Sequence, residues 1–300
     1  MRITNNVTTQ NALRTLQRGQ REIAAASERV TTGLRFQRAS EDPSAAAQVM
    51  RTGGSLRALD QYRRNVDAAS ARTAAEEGVL DELGDVLMRA TELGVSQATG
   101  TATGATRLVT KAEVDQLLGF AVQLANTRHG DAYLFGGSFA TVAPFALDRS
   151  DPAAPDFTAA ATGGEHEVEI GAGQLLATTH DGAEVFGTTT DGPLAALRDL
   201  SRALGANDQD AIGHATQRLH AAVDGLQSLV GDVGARMNQL EITGANLAAL
   251  DVTLTTFKSD LQEVDFERAV TELVGRQTAF QAAMLATSKV MGMNLTDYLR

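Results

Sequence analysis

Cysteine is absent from all 300 residues, which excludes a disulfide framework and any thiolate metal site. Tryptophan is also missing, and three Tyr and ten Phe are the only aromatics, a balance suited to long helices packed through small side chains. No run of about 18 apolar residues occurs, so no membrane-spanning helix is expected. Residues Met1 through Gln20 lack an apolar stretch followed by a small-residue cleavage site, so export, if it occurs, is expected to proceed without a cleaved signal peptide. Catalytic signatures are missing as well. There is no G-x-S-x-G, and Gly171 and Gly173 have no third glycine and open no helix. Gly136-Gly137-Ser138 reads as a domain boundary. Neither enzymatic activity nor a cofactor is expected.

Histidine offers no better site. Glu165, Glu167 and Glu169 alternate with His166, so on a strand the imidazole faces away from the carboxylates. His129 sits at a helix end, where it suits the C-terminal dipole. His214 and His220 are six apart and share no helical face. No metal is expected.

What the chain does have is apolar seams at both ends. Leu13, Leu16, Ile23, Val30 and Leu34 fall at helical spacing, with Leu16, Ile23 and Val30 seven apart. Leu240, Leu247, Leu254 and Leu261 also recur every seven, with Leu250, Phe257 and Val264 at the interleaved position. A helix with apolar a and d positions cannot hide its seam alone. Such a chain assembles with a partner, in itself or in a neighbouring molecule.

Between the ends the pattern divides in three. A first helix, about Asn5 to Thr32, is stopped by Gly33, and Asp42-Pro43 then restarts helix at its first turn. The next runs from Ser44, with a flex expected at Gly53-Gly54, and carries the stripe Val79, Leu83, Val86, Leu87, Ala90 and Leu93. Thr99 to Gly104 reads as a loop, and a third helix, about Arg107 to Arg128, follows with Val114, Leu117, Leu118, Ala121, Val122 and Leu124 on one side.

From Gly136 to about Asp191 the helical period vanishes, and Pro144, Pro152 and Pro155 fall here. Glu165 to Ile170 alternates as a half-buried strand, and Asp181-Gly182, between Leu175–His180 and Ala183–Phe186, predicts a hairpin. Helix resumes with Leu194, Leu197, Leu200 and Leu204, then with Ile212, Ala215, Leu219, Val223, Leu226 and Val230. A break is expected at Gly231 to Gly234, before the strict heptads. Asp265 reads as the N-cap of a last helix with seam Phe266, Val270, Leu273, Phe280 and Met284. The phase jump between Val264 and Phe266 marks a joint.

The expected fold is mainly α: a long antiparallel helical bundle or coiled coil formed by both chain ends, with a small β-rich inserted domain. Three domains are expected. Residues 1–43 and 265–300 form a terminal coiled-coil assembly domain, 44–135 and 192–264 a helical bundle, and 136–191 a β-rich outer insertion. The Leu240–Val264 seam is expected to close within the chain. Leu13, Leu16, Ile23 and Val30, with Phe266, Val270, Leu273, Phe280 and Met284, are expected to close between subunits. Arg35, Phe36, Arg38 and Asp42 lie where two helical layers join.

Charge is uneven. Residues 1–64 carry eleven basic against five acidic side chains, net +6, while the whole chain is at −11. The arginines interleave with a heptad seam and there is no aromatic platform, so nucleic-acid binding is not expected. A basic arm against an acidic flank of another helix is.

Ser27-Glu28-Arg29-Val30-Thr31-Thr32-Gly33-Leu34-Arg35, leading into Ala39-Ser40-Glu41-Asp42-Pro43-Ser44, resembles the N-terminal region of flagellins and their relatives, with Glu41-Asp42 where two Asp are usual. Asn238, Leu240, the heptads through Phe257, and Asp265-Phe266 are similar to the family's C-terminal region. Tyr133-Leu134-Phe135-Gly136-Gly137-Ser138, Pro144-Phe145 and the ending Asn294-Leu295-Thr296-Asp297-Tyr298-Leu299 look like its hook–filament junction branch. The resemblance covers about two-thirds of the chain. It implies an extracellular structural subunit of the bacterial flagellum, in a homo-oligomeric ring of about eleven. Its implied neighbours are a hook-associated protein on one side and flagellin on the other. It also implies type III export, with a chaperone at the C-terminal helix. A flagellin filament subunit is the nearest alternative. A soluble helical signalling module is a different class, against which the β insertion argues.

Overall fold

The computed structural model describes residues 2–137, 141–148, 156–160, 163, 164 and 166–298, without the side chains of 2–6, 8, 9 and 290–298. Ser138, Pro152, Pro155, Glu165 and Leu299, singled out above, lie outside the described residues, as do the side chains of Asn294 through Tyr298.

Helix α1 spans Arg2–Thr32 and ends at Gly33, whose φ of 69° is the left-handed stop a glycine supplies. Helix α2, Pro43–Gln97, begins with proline in its first turn. It runs unbroken through Gly53-Gly54, where a flex was expected, because two glycines cost only about 1 kcal/mol each in a 55-residue helix. Helix α3, Gly104–Ala125, starts on a capping box: Thr103 Oγ1 accepts from Thr106 N while the Thr106 hydroxyl accepts from Thr103 N.

The non-helical segment holds three two-stranded antiparallel ladders among the described residues: β1 (Arg128–His129) with β2 (Ala132–Tyr133), β3 (Phe145–Asp148) with β4 (Asp156–Ala159), and β5 (Glu167–Gly171) with β6 (Gln174–Ala177). The expected Asp181-Gly182 hairpin turn is not formed. Asp181 has φ −70°, ψ 144°, and occupies the N-cap position of a short helix, α4 (Gly182–Phe186). Burial of Val185 and Phe186 draws that segment inward. The hairpin turn lies nine residues earlier, at Ala172-Gly173, where Gly173 supplies the positive φ. Helix α5 (Pro193–Ala206) is followed by α6 (Gln209–Gln262) and α7 (Phe266–Tyr298). Helix α6 continues through Gly231 and Gly234, where a break was expected, because Val233 between them is fully buried in the core.

The chain divides into two compact units, residues Met1–Ala58 with Leu250–Arg300, and residues Leu59–Ala249. The larger unit holds the main core. Leu80, Leu83, Leu87 and Ala90 of α2 meet Val114 and Leu118 of α3, Leu194, Leu197 and Leu200 of α5, and Leu219 and Leu226 of α6. Helices α2 and α6 pack antiparallel in steady register: Gly84 faces Leu226, Gly94 faces Thr216 and Gly244 faces Val66. At Gly94 the Thr216 side chain lies where a Cβ would sit, so only glycine permits this approach. Phe135, Phe145, Phe157 and Phe186 belong to the same core, so the segment expected as an outer insertion is rooted among the helices.

A second cluster extends it. Leu59, Val66 and Ala69 of α2, Leu240 and Leu247 of α6, and Ile170 of β5 bury one another. The β5–β6 hairpin lies on this pair like a strap, with Asn65 Nδ2 donating to the Glu169 carbonyl at 2.7 Å.

Candidate subunit-assembly surface

In the smaller unit the two termini pair with each other. Gly19 of α1 lies under the Phe280 ring of α7, with Cδ2 2.9 Å from where a Cβ would be. One turn on, Glu22 bonds Arg276 at 2.8 Å, and further along Arg29 reaches Glu272 at 3.4 Å. As α1 ascends the α7 numbers fall, so the pair is antiparallel. Arg276 also holds Glu272 at 2.6 Å on its own helix.

The pairing consumes little of the apolar seam. The residues it buries are small: Ala26 and Ala269. Leu16, Ile23, Val30, Val270, Leu273 and Phe280 are half-buried, whereas Leu13 is 56%, Phe266 61% and Met284 46% exposed. Val274 and Leu285 are exposed beside them. Two helices enclose only one line of contact, so a broader apolar stripe stays open to further helices.

The Leu240–Val264 seam divides. Leu240 and Leu247 are buried under the strap, but Leu250 and Phe257 are 47% and 46% exposed, and Leu254, Leu261 and Val264 half-buried. Ile170 and Leu176 of the hairpin pack in one cluster with Leu240 and Leu247.

Between α1 and α2 the connector is fastened at both ends. Leu34 bridges Glu263, Arg35 N donates to the Gln262 carbonyl at 2.7 Å, and Val264 N donates to the Gly33 carbonyl at 2.9 Å. Phe36 is buried against Ala45, Ala46 and Val49. Asp42 caps α2, its Oδ1 accepting from Ala45 N at 3.0 Å and from Ser44 Oγ at 2.8 Å, while Oδ2 pairs with Arg35 at 2.9 Å. Arg38 is exposed and lies apart from these bonds. Across the joint Asp265 caps α7, accepting from Arg268 N at 3.2 Å.

The cap makes a pH prediction. The Ala45 N–H, then Ser44 and Arg35, hold the Asp42 carboxyl below the usual carboxylate range; Arg276 does the same for Glu272. A depressed folded-state pKa stabilises fully above the ordinary value and is lost as pH falls through the folded one. Acid is therefore expected to loosen this unit. Asp42→Ala should lower α2 N-terminal amide protection at pH 7 and flatten its dependence below pH 5, read by hydrogen exchange.

Several contributors were not anticipated from the sequence: Gly19, Ala26, Ala269, Glu22, Glu272 and Arg276. A signal existed for the first two. Ala12, Gly19, Ala26 and Gly33 form their own seven-residue repeat of small residues beside the leucine seam. The Arg29–Glu272 pair is a basic-arm contact of the kind expected, but the ion pairs join residues more than 240 apart and no local pattern named their members.

Among the described residues no cluster of His, Asp or Glu is arranged to hold a metal ion, and no helix is long and apolar enough to cross a membrane.

Comparison with known proteins returns the same two ends. Residues 3–140 match the bacterial flagellin N-terminal helical region and residues 216–299 its C-terminal helical region. The flagellar hook-associated protein 3 of Escherichia coli is 22% identical over 98% of both chains. A flagellin of Bacillus subtilis is 27% identical over the whole of both. The solved structure of the flagellar hook-associated protein-3 from Legionella pneumophila superposes with a TM-score of 0.58 at 15% identity, covering 70% of this chain and 98% of that one.

Proposed function

The chain belongs to the bacterial flagellin family, and from that premise we propose that it is the adaptor joining the hook-associated zone of the flagellum to the flagellin filament. A flagellar structural role follows from the family itself. The junction placement is supported by full-length similarity to hook-associated protein 3 and by the fold shared with a solved member of that group.

One observation carries the mechanism: the half-open seam on paired α1 and α7. In this reading residues 1–43 and 265–300 form the assembly layer, 44–135 and 192–264 the surrounding bundle, and 136–191 the outward face. Copies of the chain, about eleven to a ring, close each other's seams through Leu13, Leu16, Ile23, Val30, Phe266, Val270, Leu273, Phe280 and Met284. A leucine-sized side chain taken from exposed to buried contributes about 1.5–3 kcal/mol, and the half-buried ones correspondingly less, so a ring of weak individual contacts is strong collectively. Leu250 and Phe257 add a second open stretch, and Arg35, Phe36, Arg38 and Asp42 set the angle between the layers. The subunit sits outside the cell after type III export, with a chaperone covering the C-terminal helix beforehand.

The flagellin of Bacillus subtilis supports a second reading, a subunit of the filament itself. Deletion separates the two. Loss of the adaptor leaves bare hooks and flagellin shed into the medium, and immunolabelling of the parent marks one ring at the hook tip. Label along the whole filament overturns the adaptor.

A further inference from the structure

Three elements converge on one imidazole in the larger unit. His180, at the end of the strap, is buried, and each ring nitrogen faces a carboxylate. Nδ1 lies 2.8 Å from Oε1 of Glu76 on α2, and Nε2 lies 3.0 Å from Oδ2 of Asp232 on α6. The backbone N–H of His180 donates to the same Glu76 oxygen at 2.9 Å. A neutral imidazole has a single N–H and can donate to only one of these carboxylates; the imidazolium donates to both.

The charged groups around it come from every side. Arg72 and Glu76 belong to α2, Asp232 and Arg236 to α6, Glu184 to α4, and Asp181 follows His180 in the chain. Arg236, held by Asp232 at 2.8 Å and with Nη2 3.2 Å from His180 Nε2, opposes a positive ring and donates to that nitrogen when the ring is neutral; Glu76 and Glu184 favour the charge. The favourable side prevails: the ring's pKa is raised, first by the hydrogen bond to Glu76, with burial and Arg236 working against it.

The strap's other polar fastenings are few. Thr73 Oγ1 donates to the Thr178 carbonyl at 3.0 Å, Asn65 to Glu169, and Arg236 to the Ala177 carbonyl at 3.5 Å. Glu76 is fully buried: its Oε1 takes both the backbone and the ring bond of His180, its Oε2 has no hydrogen-bond partner, and Arg72 faces it electrostatically.

We propose that His180 is a proton-operated clasp: as imidazolium it fastens the 166–181 strap across α2 and α6, and loss of its proton loosens the strap and uncovers Leu59, Val66, Leu240 and Leu247. Because the folded-state pKa is raised, the clasp holds fully below the ordinary histidine value of about 6.5 and is lost as pH rises through the higher folded one. Its consequence is a second apolar surface, distinct from the terminal seam, that appears only on the alkaline side.

Hydrogen exchange of the full chain from pH 5.5 to 9.5, corrected for intrinsic rates, tests this. Amides of residues 167–178 should lose at least tenfold protection in one alkaline step while α3 amides hold theirs. His180→Gln should abolish the step. Asp232→Asn, at a half-exposed position that leaves folding intact, should move its midpoint to lower pH, and His166→Gln should leave it in place. Strap protection that does not vary with pH in the parent, or a step that survives in H180Q or keeps its midpoint in D232N, overturns the proposal.

Discussion

Truncating Phe186 to alanine is expected to destabilise the larger unit by about 3–5 kcal/mol, the range for a fully buried aromatic whose site cannot collapse. Phe186 is inaccessible, edge-on to Phe135 at 5.0 Å between ring centroids, and 5.7 Å from Phe145. Phe157 extends the group from β4, 6.5 Å from Phe145. These rings come from between, within and after the strand ladders, and they share one core with Leu83, Leu87, Leu118 and Leu197 of the helices. Equilibrium denaturation followed through α3 amides should register the whole loss. Leu175→Ala, at an exposed position on β6, should stay within about 0.5 kcal/mol. A Phe186 variant that cost less than about 1 kcal/mol would mean that the segment packs as a separate appendage.

A carboxylate in the terminal seam is expected to abolish assembly and spare the monomer. Leu273→Asp or Ile23→Asp places a charge on a half-buried stripe, where the isolated chain still lets water reach it. Closing that stripe against other subunits must strip the water away. Burying an unpaired carboxylate costs upward of about 3 kcal/mol per contact, more than a hundredfold in each association step. Sedimentation should show no assembled species, while thermal unfolding of the larger unit matches the parent. Leu247→Asp provides the contrast. That leucine is already enclosed by Leu59, Val66 and Ile170, so the same charge should unfold the monomer's second cluster. If Leu273→Asp left assembly intact, the seam would not be where subunits meet.

These predictions separate positions that look alike in the sequence. Leu247 and Leu250 belong to one unbroken heptad pattern, as do Leu240 and Phe257. In the fold the first of each pair is buried with Leu59, Val66 and a hairpin that lies 64 to 77 residues earlier in the chain, while Leu250 and Phe257 are about half exposed. Local punctuation was legible where one residue decides the backbone: Gly33 ending α1, Asp42-Pro43 starting α2, Asp265 starting α7. It misled where tertiary burial outweighed it. Gly231 and Gly234 failed to break α6 because Val233 is anchored between them, and Asp181-Gly182 failed to turn because Phe186 draws the segment into the core.

Helical periodicity, the joints at both ends and the family membership were determined by the sequence alone. Period, capping and motif are properties of neighbouring residues, and neighbours are what a sequence lists in order. Three further features depend on the tertiary structure: the burial of the middle seam at Leu240 and Leu247, the small-residue approach of Gly19 to Phe280, and the clasp of His180 between Glu76 and Asp232. Each depends on groups 50 to 260 residues apart meeting at hydrogen-bond or van der Waals distance, and no local pattern encodes that meeting.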